Sequence, residues 1–94
     1  RMAQYRKKPV VIEAVTWYGK YASPGEWPAW FNAAFAAGDI RVDPFSPGSD
    51  EGPLVIKTLE GEMRAGLADK VIRGVKGEIY PCKPDIYAAT YDQV

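Results

Sequence analysis

Between residues 54 and 84, short apolar runs alternate with single charges and are punctuated by glycines. This is the pattern of half-buried antiparallel strands, polar side chains out and apolar side chains in. Leu54-Val55-Ile56 opens one strand, which runs on to Leu59. Glu60-Gly61 reads as a hairpin turn, glycine supplying the positive φ, and 62–65 returns as its partner. Residues 70–73 make a third run, 74–77 a glycine-flanked turn and 78–80 a fourth run. Pro81 and Pro84 should stop the pairing, since neither carries an N–H for a ladder.

Upstream, 10–17 is a nearly continuous apolar run and predicts a strand that is central in its sheet, or covered on both faces at its start. Trp27, Trp30, Phe31, Ala34 and Phe35 then recur at helical spacing. They predict a helix over 28–37, with Pro28 at its first position and Gly38 as its C-terminal cap. The aromatic stripe is expected to pack on the sheet rather than form a ligand cage. Residues 40–42 suit a short edge strand, and 43–53 a turn-rich acidic loop. Residues 85–89 can make one helical turn, with Asp85 favourable at its start, and 90–91 a last short strand.

Together these elements predict an α+β fold: a single antiparallel β-sheet of about five strands with one helix packed on one face. The expected core is Val11, Val15, Trp30, Phe31, Phe35, Leu54, Ile56, Val71, Ile72, Ile79 and Ile86. With 94 residues, one domain over 2–94 is expected, Arg1 before Met2 reading as a cloning remnant. No apolar run approaches the roughly 18 residues of a membrane span, and no signal peptide is expected.

Charge narrows the function. Twelve basic and twelve acidic residues cancel, which makes nucleic acid an improbable partner while leaving room for a local basic patch. Three tryptophans in so short a chain suit contact surfaces as well as core. There is no histidine, which removes the commonest general base and metal ligand. With a single cysteine, Cys82, neither an internal disulfide nor a zinc site is expected, and a reducing cytoplasm is the default setting. Cys82 beside Lys83 invites the idea of a lowered thiol pKa, against the simpler reading of a small packed side chain. Glu60, Glu62, Glu78 and Asp69 are scattered acids with no spacing that demands a pair, and no phosphate-binding glycine loop is present. Neither enzyme activity nor a cofactor is expected.

Binding remains. The candidate ligand-binding residues are Arg6, Lys8, Trp17, Arg73, Lys76, Tyr80 and Lys83, a basic-aromatic set. Lys70 is close in sequence, but Lys70 and Arg73 are odd-spaced and point to opposite faces of a regular strand.

Three stretches also carry a resemblance: the opening Tyr5-Arg6-Lys7-Lys8-Pro9-Val10-Val11-Ile12-Glu13-Ala14, the middle Ile56-Lys57-Thr58-Leu59-Glu60-Gly61, and the closing Ile72-Arg73-Gly74-Val75-Lys76-Gly77-Glu78 with Tyr80-Pro81-Cys82-Lys83-Pro84-Asp85-Ile86 and Ala89-Thr90-Tyr91. They resemble a family of small tailed-phage and prophage proteins named for a Pro-Gly-Asp-Tyr-Gly motif. At that motif this chain has Leu67-Ala68-Asp69-Lys70, so Asp69 alone matches. The resemblance implies a phage accessory gene more than a mechanism. The expectation is a non-enzymatic phage protein in the host cytoplasm that counteracts host defence, by sequestering an anionic nucleotide signal or by binding a host protein. A sequestering role suits a homo-oligomer. The alternative is a virion structural or assembly protein, and a small hydrolase using Glu78, Asp69 or Glu62 stands third.

Overall fold

The computed structural model describes residues 3–5, 8–19, 27–49 and 51–94. Among these the chain runs β1 (Glu13–Thr16), α1 (Ala29–Ala37), β2 (Ile40–Val42), β3 (Leu54–Thr58), β4 (Gly61–Ala65), β5 (Lys70–Arg73), β6 (Ile79–Cys82) and α2 (Pro84–Thr90). The class is α+β, as expected. The single sheet of about five strands is not found. Instead the strands form two antiparallel sheets of three, ordered β1-β5-β6 and β2-β3-β4, and a second helix joins the first.

The division has a local cause. After β4 the chain turns at 66–69, and this turn docks on Trp17, the residue that follows β1. The Ala68 N–H donates to the Trp17 carbonyl (2.6 Å), and the Trp17 N–H donates to the Asp69 carbonyl (2.9 Å). Asp69 Oδ2 accepts the Gly66 N–H (2.8 Å), which closes the turn on itself. The chain therefore leaves the turn alongside β1 and pairs there, Thr16 opposite Lys70 and Val15 opposite Val71. Ala68 takes a left-handed conformation (φ 73°) to make this possible.

Helix α1 begins one residue later than expected, with Pro28 outside it as the N-cap, and Gly38 (φ 77°) ends it in the left-handed region. Its aromatic stripe does pack inward. Trp17, Phe31, Ala34, Ile40, Leu54, Ile56, Ala65 and Val71 form the buried cluster, with Val15, Trp27, Trp30, Phe35, Val42 and Ile79 against it. Trp27 stacks on Phe35 (centroids 5.4 Å, planes 12° apart) and meets Phe31 edge-on. The Trp17 indole N–H donates to the Gly52 carbonyl (2.9 Å). Only glycine fits at 52, because a Cβ would overlap the Asp43 carbonyl.

The outer face of the second sheet is ionic. Arg41 and Arg64 lie on either side of Val55 in the register. Arg41 bonds Glu62 (2.6 Å) and Arg64 bonds Asp43, so that two ion pairs roof over a buried Val55. The Arg41 guanidinium, by hydrogen bond and then by charge, holds the Glu62 carboxyl below the usual carboxylate range.

Several expectations change. Strand β1 starts at Glu13 and is an edge strand, not a central one; Val11, expected in the core, is 75% exposed. An apolar run is therefore not a strand where no neighbour pairs with it. Ile86 also lies out of the core, 56% exposed on α2. Pro81 does not stop the pairing: it sits within β6 opposite Val71, tolerated because β6 is the edge of its sheet. Residues 90–91 add no strand, since Thr90 ends α2.

Ala68 yields a test. A left-handed conformation costs an L-residue about 1–2 kcal/mol, partly offset in a glycine variant by its freer unfolded chain. Ala68→Gly should stabilise the protein by about 0.5–1 kcal/mol in denaturant unfolding. A loss of stability would show that residue 68 is not left-handed.

Candidate anion-binding groove

Directly paired residues share a face of a sheet, and faces alternate along each strand. In the first sheet, Val15, Val71 and Pro81, with Glu13, Arg73 and Ile79, share the face toward the core. Ala14, Ile72 and Tyr80, with Thr16, Lys70 and Cys82, share the other. Ile72 is fully buried there yet stands outside the main cluster, so this second face is covered too.

The cover is α2 and the residues after it. Tyr87 and Tyr91 are four residues apart, and their rings meet at 5.3 Å. The Tyr91 hydroxyl reaches that of Tyr80 (3.4 Å). Burial, then this hydrogen bond, pushes the Tyr80 hydroxyl well above its ordinary pKa, so it stays a neutral hydrogen-bonding group. Lys70 Nζ lies 5.1 Å from the centre of the Tyr87 ring and donates to Thr16 Oγ1 (2.6 Å).

A groove opens beside this cluster. Its larger hollow, of about 450 Å³, has Lys70 and Tyr87 on one side, residues 10–12 on another and 91–94 on a third. A second hollow of about 300 Å³ adjoins it, lined by Lys8, Pro9 and Thr90, and shares Val10, Tyr91 and Asp92 with the first. Lys70 is half-buried, and its ammonium has a hydroxyl and an aromatic face as partners. Among the described residues no carboxylate forms an ion pair with it. A cation whose partners are neutral groups keeps its attraction for an anion.

The seven residues read from the sequence do not assemble as one site. Lys8 lines the smaller hollow. Tyr80 touches the groove's Tyr91. Arg6 lies outside the described residues. Trp17 is fully buried and its indole is committed to Gly52, so it presents no face to a ligand. Lys83 is tied to the buried Asp69 (2.8 Å). Arg73 and Lys76 stand exposed at the far end of the β5–β6 hairpin, with Arg73 about 10 Å along the strand from Lys70 and on the opposite face. The structure separates Lys70 from Arg73, as their odd spacing implies, and adds Thr16, Tyr87 and Tyr91 beside Lys70. The available signal was the tyrosine pair at helical spacing after a basic strand.

The acids considered for hydrolysis are dispersed. Glu62 holds Arg41, Glu78 accepts the Lys76 N–H (3.0 Å), and Asp69 holds Gly66 and Lys83. Among the described residues no cluster of potential metal ligands forms, and no helix is long and apolar enough to cross a membrane. No family model, curated protein or solved structure matches the chain.

Cys82 differs from the reactive reading. Burial, then the nearby Asp85 and Asp69 carboxylates, pushes its thiol up rather than down. Alkylation by iodoacetamide should therefore be slower at neutral pH than for a free thiol. Its rate should rise with pH through a midpoint above the ordinary thiol value. A fast reaction at pH 7 would contradict this placement.

Proposed function

We propose that the protein acts by binding, and that its ligand is a small anionic nucleotide held in the groove over Lys70. The observation that carries this reading is the half-buried Lys70, its ammonium set on Tyr87 and Thr16 without an ion-pair partner among the described residues, at the edge of a hollow of about 450 Å³. A phosphate oxygen would take the ammonium's remaining donor capacity, and the Tyr91 ring offers a flat apolar wall for a base. The resemblance to a phage family supplies a setting: a phage product, working in the host cytoplasm, that withdraws a host nucleotide signal without turning it over.

Fluorescence titration with mant-labelled AMP tests this. Lys70→Met keeps the side chain's bulk and removes its charge. The affinity should fall by about 10–100-fold, the worth of one charge-assisted hydrogen bond, with the thermal midpoint little changed. Absence of saturable binding by the wild type, or equal binding by the variant, would overturn the reading.

A second reading rests on a different surface. Leu59 is fully exposed at the β3–β4 turn, a position that normally takes polar residues. With Met63, Ile79 and Tyr80 it borders a hollow of about 270 Å³, rimmed by Glu60 and Glu78. An apolar knob between carboxylates suits a basic, apolar segment of a host protein. In pull-downs from host lysate, a protein retained by the wild type and lost with Leu59→Asp would support this; identical captures would count against it. Recovery of the protein in purified virions would move the partner from the host to the particle.

A further inference from the structure

The groove has two cationic ends rather than one. Lys70 stands in the larger hollow and Lys8 in the smaller, and Val10, Tyr91 and Asp92 form the walls common to both. The chemistry thus runs cation, then an apolar, aromatic and acidic middle, then cation. Among the described residues no carboxylate forms an ion pair with either lysine. Each hollow is near the lower end of the roughly 300–1,000 Å³ that holds small ligands, so one compact anion would use one lysine and leave the other idle.

Asp92 sharpens the requirement. A carboxylate between the two lysines repels a phosphate placed in the middle and accepts hydrogen bonds from amino or hydroxyl groups there. Tyr91 and Val10 flank the same point with apolar surface suited to a nucleobase. The ligand that matches carries two separated anionic groups joined by a body with hydrogen-bond donors and a flat ring. From this arrangement we infer that the groove selects a dinucleotide over a mononucleotide, with one phosphate at Lys70, the other at Lys8, and the intervening nucleoside against Tyr91 and Asp92.

The inference rests on the groove reading above and deepens it. Both phosphates belong to one ligand and both lysines to one groove, so the second contact is intramolecular once the first has formed. Isothermal titration of the same preparation with AMP, with the linear 5′-phosphorylated diadenylate pApA and with cyclic di-AMP separates the two claims. At least one dinucleotide should bind about tenfold or more tighter than AMP, and which of them does distinguishes a linear from a cyclic ligand. In Lys8→Ala, an exposed substitution, the ratio of dinucleotide to AMP affinity should fall toward one. Asp92→Asn should let AMP compete better by removing the repulsion. Equal affinity for all three probes, or a ratio unmoved by Lys8→Ala, would overturn the two-anion inference while leaving the groove as a nucleotide site. No binding of any probe would overturn both.

Discussion

The structure depends on how a single buried indole is satisfied. Trp17 has no exposed surface, and its ring N–H, removed from water, needs an acceptor if it is not to cost free energy. That acceptor is the Gly52 carbonyl, brought close by a loop that passes over Asp43 at a point where no side chain fits. The backbone of the same residue takes up the 66–69 turn from both its N–H and its carbonyl. One residue therefore ties the end of β1 to the loop before β3 and to the turn before β5. The two sheets themselves meet where β6 lies against β3 and β4. Among the described residues the buried indole nitrogens of Trp27 and Trp30 have no such partner, which leaves Trp17 as the one tryptophan there with a hydrogen bond from its ring to the backbone.

Because β5 is captured by β1, the first sheet is left with a second face turned away from the core. Ile72 drives that face to be covered, and Tyr87 of α2 with Tyr91 just after it lies over the same face. The groove is the imperfect seam between this cover and the segment that precedes β1. Its position follows from topology rather than from any motif. Lys70 is half-buried there, its ammonium set against the Thr16 hydroxyl and the Tyr87 ring face.

Much of the local structure was legible. The helix over 28–37 differs by one residue from α1, because aromatic spacing and a following glycine are local signals. The strands β2 and β5 are similarly local; the β3–β4 turn falls one residue earlier than expected, at Leu59-Glu60, because Gly61 already pairs with Thr58 as the first residue of β4 and Leu59 is left outside β3. Pairing is not. Nothing within a window of residues 62–73 says that β5 will leave β4 for β1, and so two sheets were read as one. The run 10–12 looked like strand because its residues favour one, yet an extended segment becomes a strand only with a neighbour to bond. The candidate site suffered from the same gap. Lys8, Lys70, Tyr87 and Tyr91 come from opposite ends of the sequence and meet only through the fold, whereas Trp17, an apparent contact aromatic, was claimed by the core.

The ionic roof over Val55 bears on how such a chain varies. Arg41 with Glu62, and Asp43 with Arg64, are pairs of residues 21 apart in sequence, each spanning the strand between them. Losing one member leaves a lone charge above a buried valine, and losing both together removes that conflict. Drift at these four positions should thus proceed by paired exchange, each pair keeping its balance while its residue types change. Two sheet faces of equal polarity would then carry different evolutionary signatures: independent variation where charges stand alone, and linked variation where they are joined.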